Sequence, residues 1–145
     1  MDTLALIAHD NQKATLIDWA KRHIAILKGF QLITTGTTGR LLKQATGLPV
    51  KSLQSGPLGG DQQIGAEIVE GRIHAIIFFW DPLSSMPHDP DVRALLRLAT
   101  LWNIPMACNE ASADFIIGSP LWQTGYQPSR KLVEAYLKER DLFQV

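Results

Sequence analysis

The stretch HAIIFFWD, residues 74–81, is a short apolar run that ends in a carboxylate. Its apolar side chains leave neither face of a strand polar, so it predicts a central strand of a parallel sheet over residues 74–80. Asp81 then stands at the carboxyl end of that strand, where packing rarely needs a charged group. Because ligands bind at this edge of open parallel α/β sheets, the stretch indicates both the fold class and the edge that carries a site.

On both sides of this stretch in the sequence, shorter apolar runs alternate with segments whose apolar residues recur at helical spacing. This pattern is typical of βα units. Further strands are predicted over residues 3–8, 30–34, 49–53 and 104–107. Helices are predicted over residues 12–27, 38–45, 62–70, from 89 with Asp89 as cap, from Ser112 to 117, and over 129–140. We therefore expect one domain over residues 1–145, a Rossmann-like three-layer α/β/α sandwich with about five parallel strands.

Composition excludes several classes of function. The 145-residue chain has 14 basic and 14 acidic residues, and its basic residues are spread out, so neither nucleic acid nor an acidic membrane is an expected partner. The longest apolar run is too short to span a bilayer, and the N-terminus shows no signal segment. A single cysteine, Cys108, excludes an internal disulfide and fits a reducing cytoplasm; we expect a packed thiol.

Two glycine-rich loops follow adjacent predicted strands. They are TGTTG at residues 35–39 and SGPLGG at residues 55–60. Glycines allow close approach of the backbone to a ligand, and hydroxyls with helix N–H groups can donate to a phosphate. Lys13 could add an ammonium group nearby. Each loop alone also fits an ordinary capped turn, and Lys13 alone fits a solvated lysine. Two glycine-rich loops side by side, however, favour phosphate binding.

Carboxylates and histidines stand beside these loops. Asp61 begins a predicted helix, so it either complements the helix dipole or serves as a general base. His88 lies between prolines, a placement that suits acid–base work near neutral pH, and Asp91 could hold it or face the dipole. His9 is a similar candidate. No zinc-ligand spacing, Walker lysine or GxGxxG fingerprint is present, so neither a metal nor a nucleotide is implied.

In these motifs the chain resembles methylglyoxal synthases. The matching stretches are IAHD at 7–10 with Lys13, TGTTG at 35–39, SGP at 55–57, GGDQQ at 59–63, FFWDPL at 78–83, PHDPD at 87–91, ALLRLAT at 94–100 and ADFII at 113–117. The likeness covers about residues 3–120. It implies a carbon–oxygen lyase that converts dihydroxyacetone phosphate to methylglyoxal and inorganic phosphate without a cofactor, in a homohexamer that phosphate inhibits.

The resemblance also assigns roles to individual residues. It implies that Asp61 removes a C3 proton and that His88 handles the carbonyl and enediol oxygens. The implied phosphate cradle consists of Lys13, Thr35, Gly36, Thr37, Thr38, Ser55 and Gly56. The implied supporting groups are His9, Asp10, Asp81 and Asp91.

The tail departs from the family pattern, because Gly125 and Pro128 stand where an apolar strand is expected. In the family an arginine near the C-terminus can reach the site of a neighbouring subunit, and Arg140 has a compatible position. Two other uses of such a fold stay open at this point. One is a non-catalytic domain that binds a phosphorylated effector, and the other is a cyclohydrolase-like enzyme acting on a purine nucleotide.

Overall fold

The computed structural model describes residues 1–84 and 89–143, without the side chains of residues 89–91 and 141–143. The strands are β1 (Thr3–Ala8), β2 (Gln31–Thr35), β3 (Val50–Leu53), β4 (Ala75–Phe79) and β5 (Met106–Ala107). They form a parallel sheet in the order β3-β2-β1-β4-β5. The predicted fold class and the central position of the 74–80 run beside β1 are confirmed.

Helices cover both faces of this sheet. They are α1 (Lys13–Arg22), α2 (Ile24–Leu27), α3 (Thr38–Thr46), α4 (Gly60–Val69), α5 (Asp89–Leu101), α6 (Glu110–Ile117) and α7 (Lys131–Phe143). None of the helices in the described part of the chain is long and apolar enough to cross a membrane.

The core is split in two by the sheet, because successive side chains of a strand point to opposite faces. On one face Leu4, Leu6 and Phe79 pack with Trp19 of α1 and with residues of α2, α3 and α6. On the other face strand residues such as Ile76 pack with residues of α4 and α5. The result is the three-layer sandwich, in which β1 and β4 are covered on both faces.

Several predicted boundaries were wrong. The helix predicted over residues 12–27 is interrupted at His23, where φ is −119° and ψ is 20°. Asn109, not Ser112, caps α6, since its side chain accepts the N–H of Ser112. The last strand is shorter than predicted, and 3-10 turns occupy Asp10–Gln12, Gly56–Leu58 and Pro120–Gln123. α5 begins at Asp89, one residue before the predicted first helical position at Pro90, and the side chain of Asp89 lies outside the described residues.

Candidate active site

The chain order places a topological switch point between β1 and β4. From β1 the chain winds outward through β2 and β3, then returns to β4 on the other side of β1. The loops after these two neighbouring strands therefore diverge at the carboxyl edge and leave a crevice there, which is where open α/β sheets bind ligands. His9 follows β1 and Asp81 lies two residues beyond β4.

His9 is held by backbone groups on β4 and just beyond it. Its own N–H donates to the carbonyl of Phe79 at 3.1 Å, and the ring packs edge-on against Phe78. The N–H of Asp81 donates to Nδ1 of His9 at 3.3 Å. Because Nδ1 is the acceptor in this bond, a neutral His9 carries its proton on Nε2.

Asp81 is almost fully buried and accepts hydrogen bonds at both carboxylate oxygens. The amide of Asn11 donates to Oδ2 at 2.9 Å, and the N–H of Leu83 donates to Oδ1 at 2.9 Å. The bond from Asn11, followed by that from Leu83, lowers the pKa of Asp81 below its ordinary value despite the opposing effect of burial. Asp81 is thus a carboxylate at neutral pH.

Lys13 links the first loop to the second. Its ammonium donates to Oγ1 of Thr37 at 3.1 Å and pairs with the carboxylate of Asp10 at 2.9 Å. Lys13 is the first residue of α1, and Thr37 is the residue that precedes α3. The bonds place a positive charge beside the threonine loop.

The threonine loop and the next glycine-rich loop touch through Gly36. Its φ of +58° lies in the left-handed region, and its N–H approaches the carbonyls of Leu53 and Gln54, each at 3.2 Å. A Cβ at Gly36 would stand 3.2 Å from Cβ of Ser55. Thr35 and Thr38 are buried, and Oγ1 of Thr38 has no hydrogen-bond partner within the described residues.

Asp61 faces the second glycine-rich loop. It lies in the first turn of α4, directly after Gly60, and a Cβ at Gly56 would stand 3.4 Å from Oδ2 of Asp61. Gly60 passes so close to Gln54 that a Cβ there would lie 1.9 Å from the Gln54 carbonyl oxygen. Glycine at position 60 therefore lets the chain fold back and bring the Asp61 carboxylate against Gly56.

The contacts unite most of the predicted site residues. The loop after β1 contacts the loops after β2 and β4, and the loop after β2 contacts the loop after β3. These touching loops and the helix starts that follow them carry His9, Asp10, Lys13, Thr35, Gly36, Thr37, Thr38, Ser55, Gly56, Asp61 and Asp81.

Three predicted site residues are not placed there. His88 lies outside the described residues, as does the side chain of Asp91, whose backbone belongs to α5. Arg140 is exposed on α7, and among the described residues no hydrogen bond or ion pair joins it to the loops. The roles of these three residues, like those of the other site residues, stay predictions.

The sequence did not predict two residues of the site. Asn11 bonds to Asp81, and Oε1 of Gln63 accepts the N–H of Gln54 at 2.8 Å. Asn11 could have been noticed because it continues the polar segment after β1. Gln63 carries no such signal, since an exposed glutamine in a first helical turn is ordinary.

The arrangement can bind an anion and move a proton. An ammonium, hydroxyls and glycine backbone lie along one part of the surface, and a carboxylate lies against it at Gly56. In residues 1–84 and 89–143, no group of three or more His, Cys, Asp or Glu residues could hold a metal ion.

Comparison with known proteins gives the family. The family model of the MGS-like domain matches residues 15–108. A methylglyoxal synthase of Photorhabdus laumondii is 62% identical over 82% of this chain and 78% of its own length. One from Saccharophagus degradans is 58% identical over 94% of this chain and 89% of its own length. The chain belongs to the MGS-like domain family.

A solved structure supports the same assignment. The crystal structure of methylglyoxal synthase from Elizabethkingia anophelis NUHP1 is 51% identical to this chain and superposes with a TM-score of 0.78. The match covers 83% of this chain and 79% of that one. The family resemblance found in the sequence is therefore confirmed.

Proposed function

We propose that this protein is a carbon–oxygen lyase that converts dihydroxyacetone phosphate to methylglyoxal and inorganic phosphate. Its relatives at 53–62% identity are methylglyoxal synthases, which favours an enzyme over a non-catalytic effector-binding domain. The observation that carries the chemistry is the Asp61 carboxylate beside Gly56, in the loop that abuts Gly36. A domain that only bound a phosphoester would have no use for a base at that place.

The phosphate of the substrate lies, in this proposal, between the two glycine-rich loops. The ammonium of Lys13 neutralises part of its charge, and the hydroxyls of Thr35, Thr37, Thr38 and Ser55 donate to its oxygens together with the Gly36 and Gly56 backbone. Oγ1 of Thr34 and Oγ1 of Thr38 are both buried without a partner among the described residues, and Thr38 is the one in the threonine loop, at the start of α3. Buried polar groups rarely remain unpaired, so a bound oxygen would complete its bonding.

Asp61 then removes a proton from C3, the carbon that carries the free hydroxyl. A ketone's α-proton is weakly acidic, and a carboxylate can take it only where the developing oxyanion is stabilised. His9, as an Nε2–H donor, and His88 are the proposed partners of the carbonyl and enediol oxygens. Asp81 and Asp91 support these histidines, and Asp10 holds Lys13. A positioned base contributes about 10² to 10⁴ in rate.

The enediolate formed in this way expels the phosphate. The C3 hydroxyl loses its proton and becomes a carbonyl, the C2–C3 double bond shifts to C1–C2, and the bond from C1 to the phosphate oxygen breaks. The resulting enol becomes methylglyoxal by proton transfer. Elimination requires that C–O bond to stand roughly perpendicular to the enediolate plane. We propose that the two glycine-rich loops hold the phosphate in this orientation, which a complex with an enediolate mimic would test.

The resemblance further suggests assembly and regulation. We propose a cytoplasmic homohexamer that phosphate inhibits, with Arg140 reaching a neighbouring site. The lone thiol fits a reducing compartment, and α7 exposes Leu132, Tyr136 and Leu137, which suits contact with another copy. Light scattering measures the assembly. Loss of cooperativity toward phosphate in Arg140→Ala supports the role of Arg140, and an unchanged response removes it.

One assay tests the function. The protein is incubated with dihydroxyacetone phosphate, and methylglyoxal and free phosphate are measured together. Equal amounts of the two products support the lyase. Phosphate-sensitive binding without turnover would instead identify an effector-binding domain, and turnover of a purine nucleotide would identify a cyclohydrolase-like enzyme.

A further inference from the structure

Asn11 joins the surface of the protein to the buried carboxylate of Asp81. It lies in the 3-10 turn Asp10–Gln12 and is itself exposed, yet its amide donates at 2.9 Å to Asp81, whose exposed fraction is 9%. An exposed residue contributes little to the core, so a change at this position leaves the packing of the sheet intact. The structural role of Asn11 is therefore its hydrogen bond to Asp81.

Asp81 in turn acts on His9 through its backbone. Its two carboxylate oxygens are occupied by Asn11 and by the N–H of Leu83, which fixes the chain direction just after β4. In that direction the N–H of Asp81 points at Nδ1 of His9, 3.3 Å away. A bond of this length is at the weak end of the hydrogen-bond range and depends on how the Asp81 backbone is held.

We propose that Asn11 is a positioning residue: its amide holds Asp81 so that the Asp81 N–H keeps His9 in the tautomer with its proton on Nε2. This inference rests on the proposed function, in which an Nε2–H donor stabilises the substrate oxygen. Without Asn11 the Asp81 carboxylate loses one of its hydrogen-bond donors and changes direction. The backbone N–H of Asp81 then moves away from Nδ1 of His9, and both neutral tautomers of His9 become populated. Because only one tautomer can donate from Nε2, the effect falls on kcat rather than on phosphate binding.

The groups around Asp81 predict how the activity of the Asn11 variants depends on pH. Among the described residues, His9 is the titratable side chain that acts on the Asp81 carboxylate, while Asn11 and the N–H groups of Leu83 and Ser84 act through hydrogen bonds. Asn11→Asp therefore places a second carboxylate at hydrogen-bond distance from the first. Such a pair holds a shared proton more strongly than a single carboxyl does, and the protonated partner can donate as the amide did.

The experiment compares kcat and KM across pH for wild type, Asn11→Ala, Asn11→Asp and the neighbouring control Gln12→Ala. We expect Asn11→Ala to lose about tenfold in kcat, with KM within about twofold, as fits loss of one bond to a charged group. The activity of Asn11→Asp relative to wild type rises as pH falls, while that of Asn11→Ala does not. Wild-type kcat in Asn11→Ala, or a pH-independent ratio for Asn11→Asp, overturns the proposal.

A second readout does not require turnover. The nitrogen chemical shifts of the His9 ring report its tautomer, and wild type and Gln12→Ala should show the Nε2–H form. Mixed tautomers in Asn11→Ala support the proposal, and an unchanged tautomer overturns it. If the wild-type protein yields no methylglyoxal, the proposed function fails, and this measurement alone decides whether Asn11 positions His9.

Discussion

The ammonium of Lys13 lies 3.1 Å from Oγ1 of Thr37 and 2.9 Å from the Asp10 carboxylate. It is therefore anchored between two loops rather than extended into solvent like most lysines at the start of a helix. Its charge stands beside the threonines that are proposed to hold the substrate phosphate.

The first prediction concerns this charge. We expect Lys13→Met to raise KM for dihydroxyacetone phosphate and to weaken inhibition by inorganic phosphate, because both ligands carry the same dianion. A hydrogen bond to a charged group contributes about 1.5–3 kcal/mol, which corresponds to a change of about tenfold or more. Steady-state kinetics with added phosphate measure both effects. Lys21→Met, at an exposed position of the same helix, is the control; equal behaviour of the two variants would remove Lys13 from the phosphate site.

The second prediction concerns Asp61. Asp61→Asn keeps the shape of the side chain but removes the base, so kcat should fall at least about 10²-fold. Binding of inorganic phosphate, measured by calorimetry, should remain within about twofold of wild type, since the proposed cradle is intact. Asp18→Asn, at an exposed position of α1, should match wild type in both measurements. Near-normal turnover of Asp61→Asn would assign the proton abstraction to another group.

Particular elements show how much of the fold and of the candidate site the sequence could predict. The run 74–80 predicted β4 because apolar residues on both faces suit only a central strand, and the loops predicted from glycines and threonines lie together as expected. The break at His23 was missed, since the apolar spacing of α1 and α2 continues across it. Periodicity reports which residues face the core, not whether the backbone between them stays helical.

The cap of α6 and the contacts of Asn11 and Gln63 escaped prediction for a different reason. Each depends on which of several polar side chains meets a particular backbone or carboxylate group, and that choice is made by tertiary packing. Asn109 and Ser112 are both good caps by residue type. Only the path of the chain after β5 decides that Asn109 accepts the bond.

The third prediction tests the close approach at Gly60. Gly60→Ala would place a Cβ 1.9 Å from the Gln54 carbonyl oxygen, so the backbone must move. We expect a loss of about 3 kcal/mol in the free energy of unfolding, at the upper end of overpacking effects. Because Asp61 is the next residue, kcat should fall as well.

Gly47→Ala is the matched control for Gly60→Ala. Gly47 has a φ of +72°, but a Cβ added there would meet nothing within 4 Å, so its variant tests backbone conformation without a steric clash. We expect a cost of about 1–2 kcal/mol and unchanged kcat. Urea unfolding and steady-state kinetics measure both variants. A Gly60→Ala protein as stable and active as Gly47→Ala would show that the Gln54 loop can shift freely.

The fourth prediction concerns the pH dependence of stability. Arg72 donates two hydrogen bonds to Glu67 at 2.7 and 3.1 Å, and this bonding lowers the pKa of Glu67 below its ordinary value of 4.5. A carboxyl whose pKa is lower in the folded state stabilises the fold above its unfolded pKa, and that contribution disappears as pH falls through the folded pKa. Glu67→Gln should therefore be less stable than wild type at neutral pH.

Below about pH 4.5 the difference between Glu67→Gln and wild type should shrink as Glu67 becomes protonated, because a neutral carboxyl and a neutral amide interact similarly with Arg72. Urea unfolding at a series of pH values measures this difference in the free energy of unfolding. Glu139→Gln, at an exposed position of α7, is the control for the loss of one surface carboxylate. A Glu67→Gln difference that stays constant down to acid pH would mean that the pair stabilises the fold by packing of its carbon chains rather than by its charge.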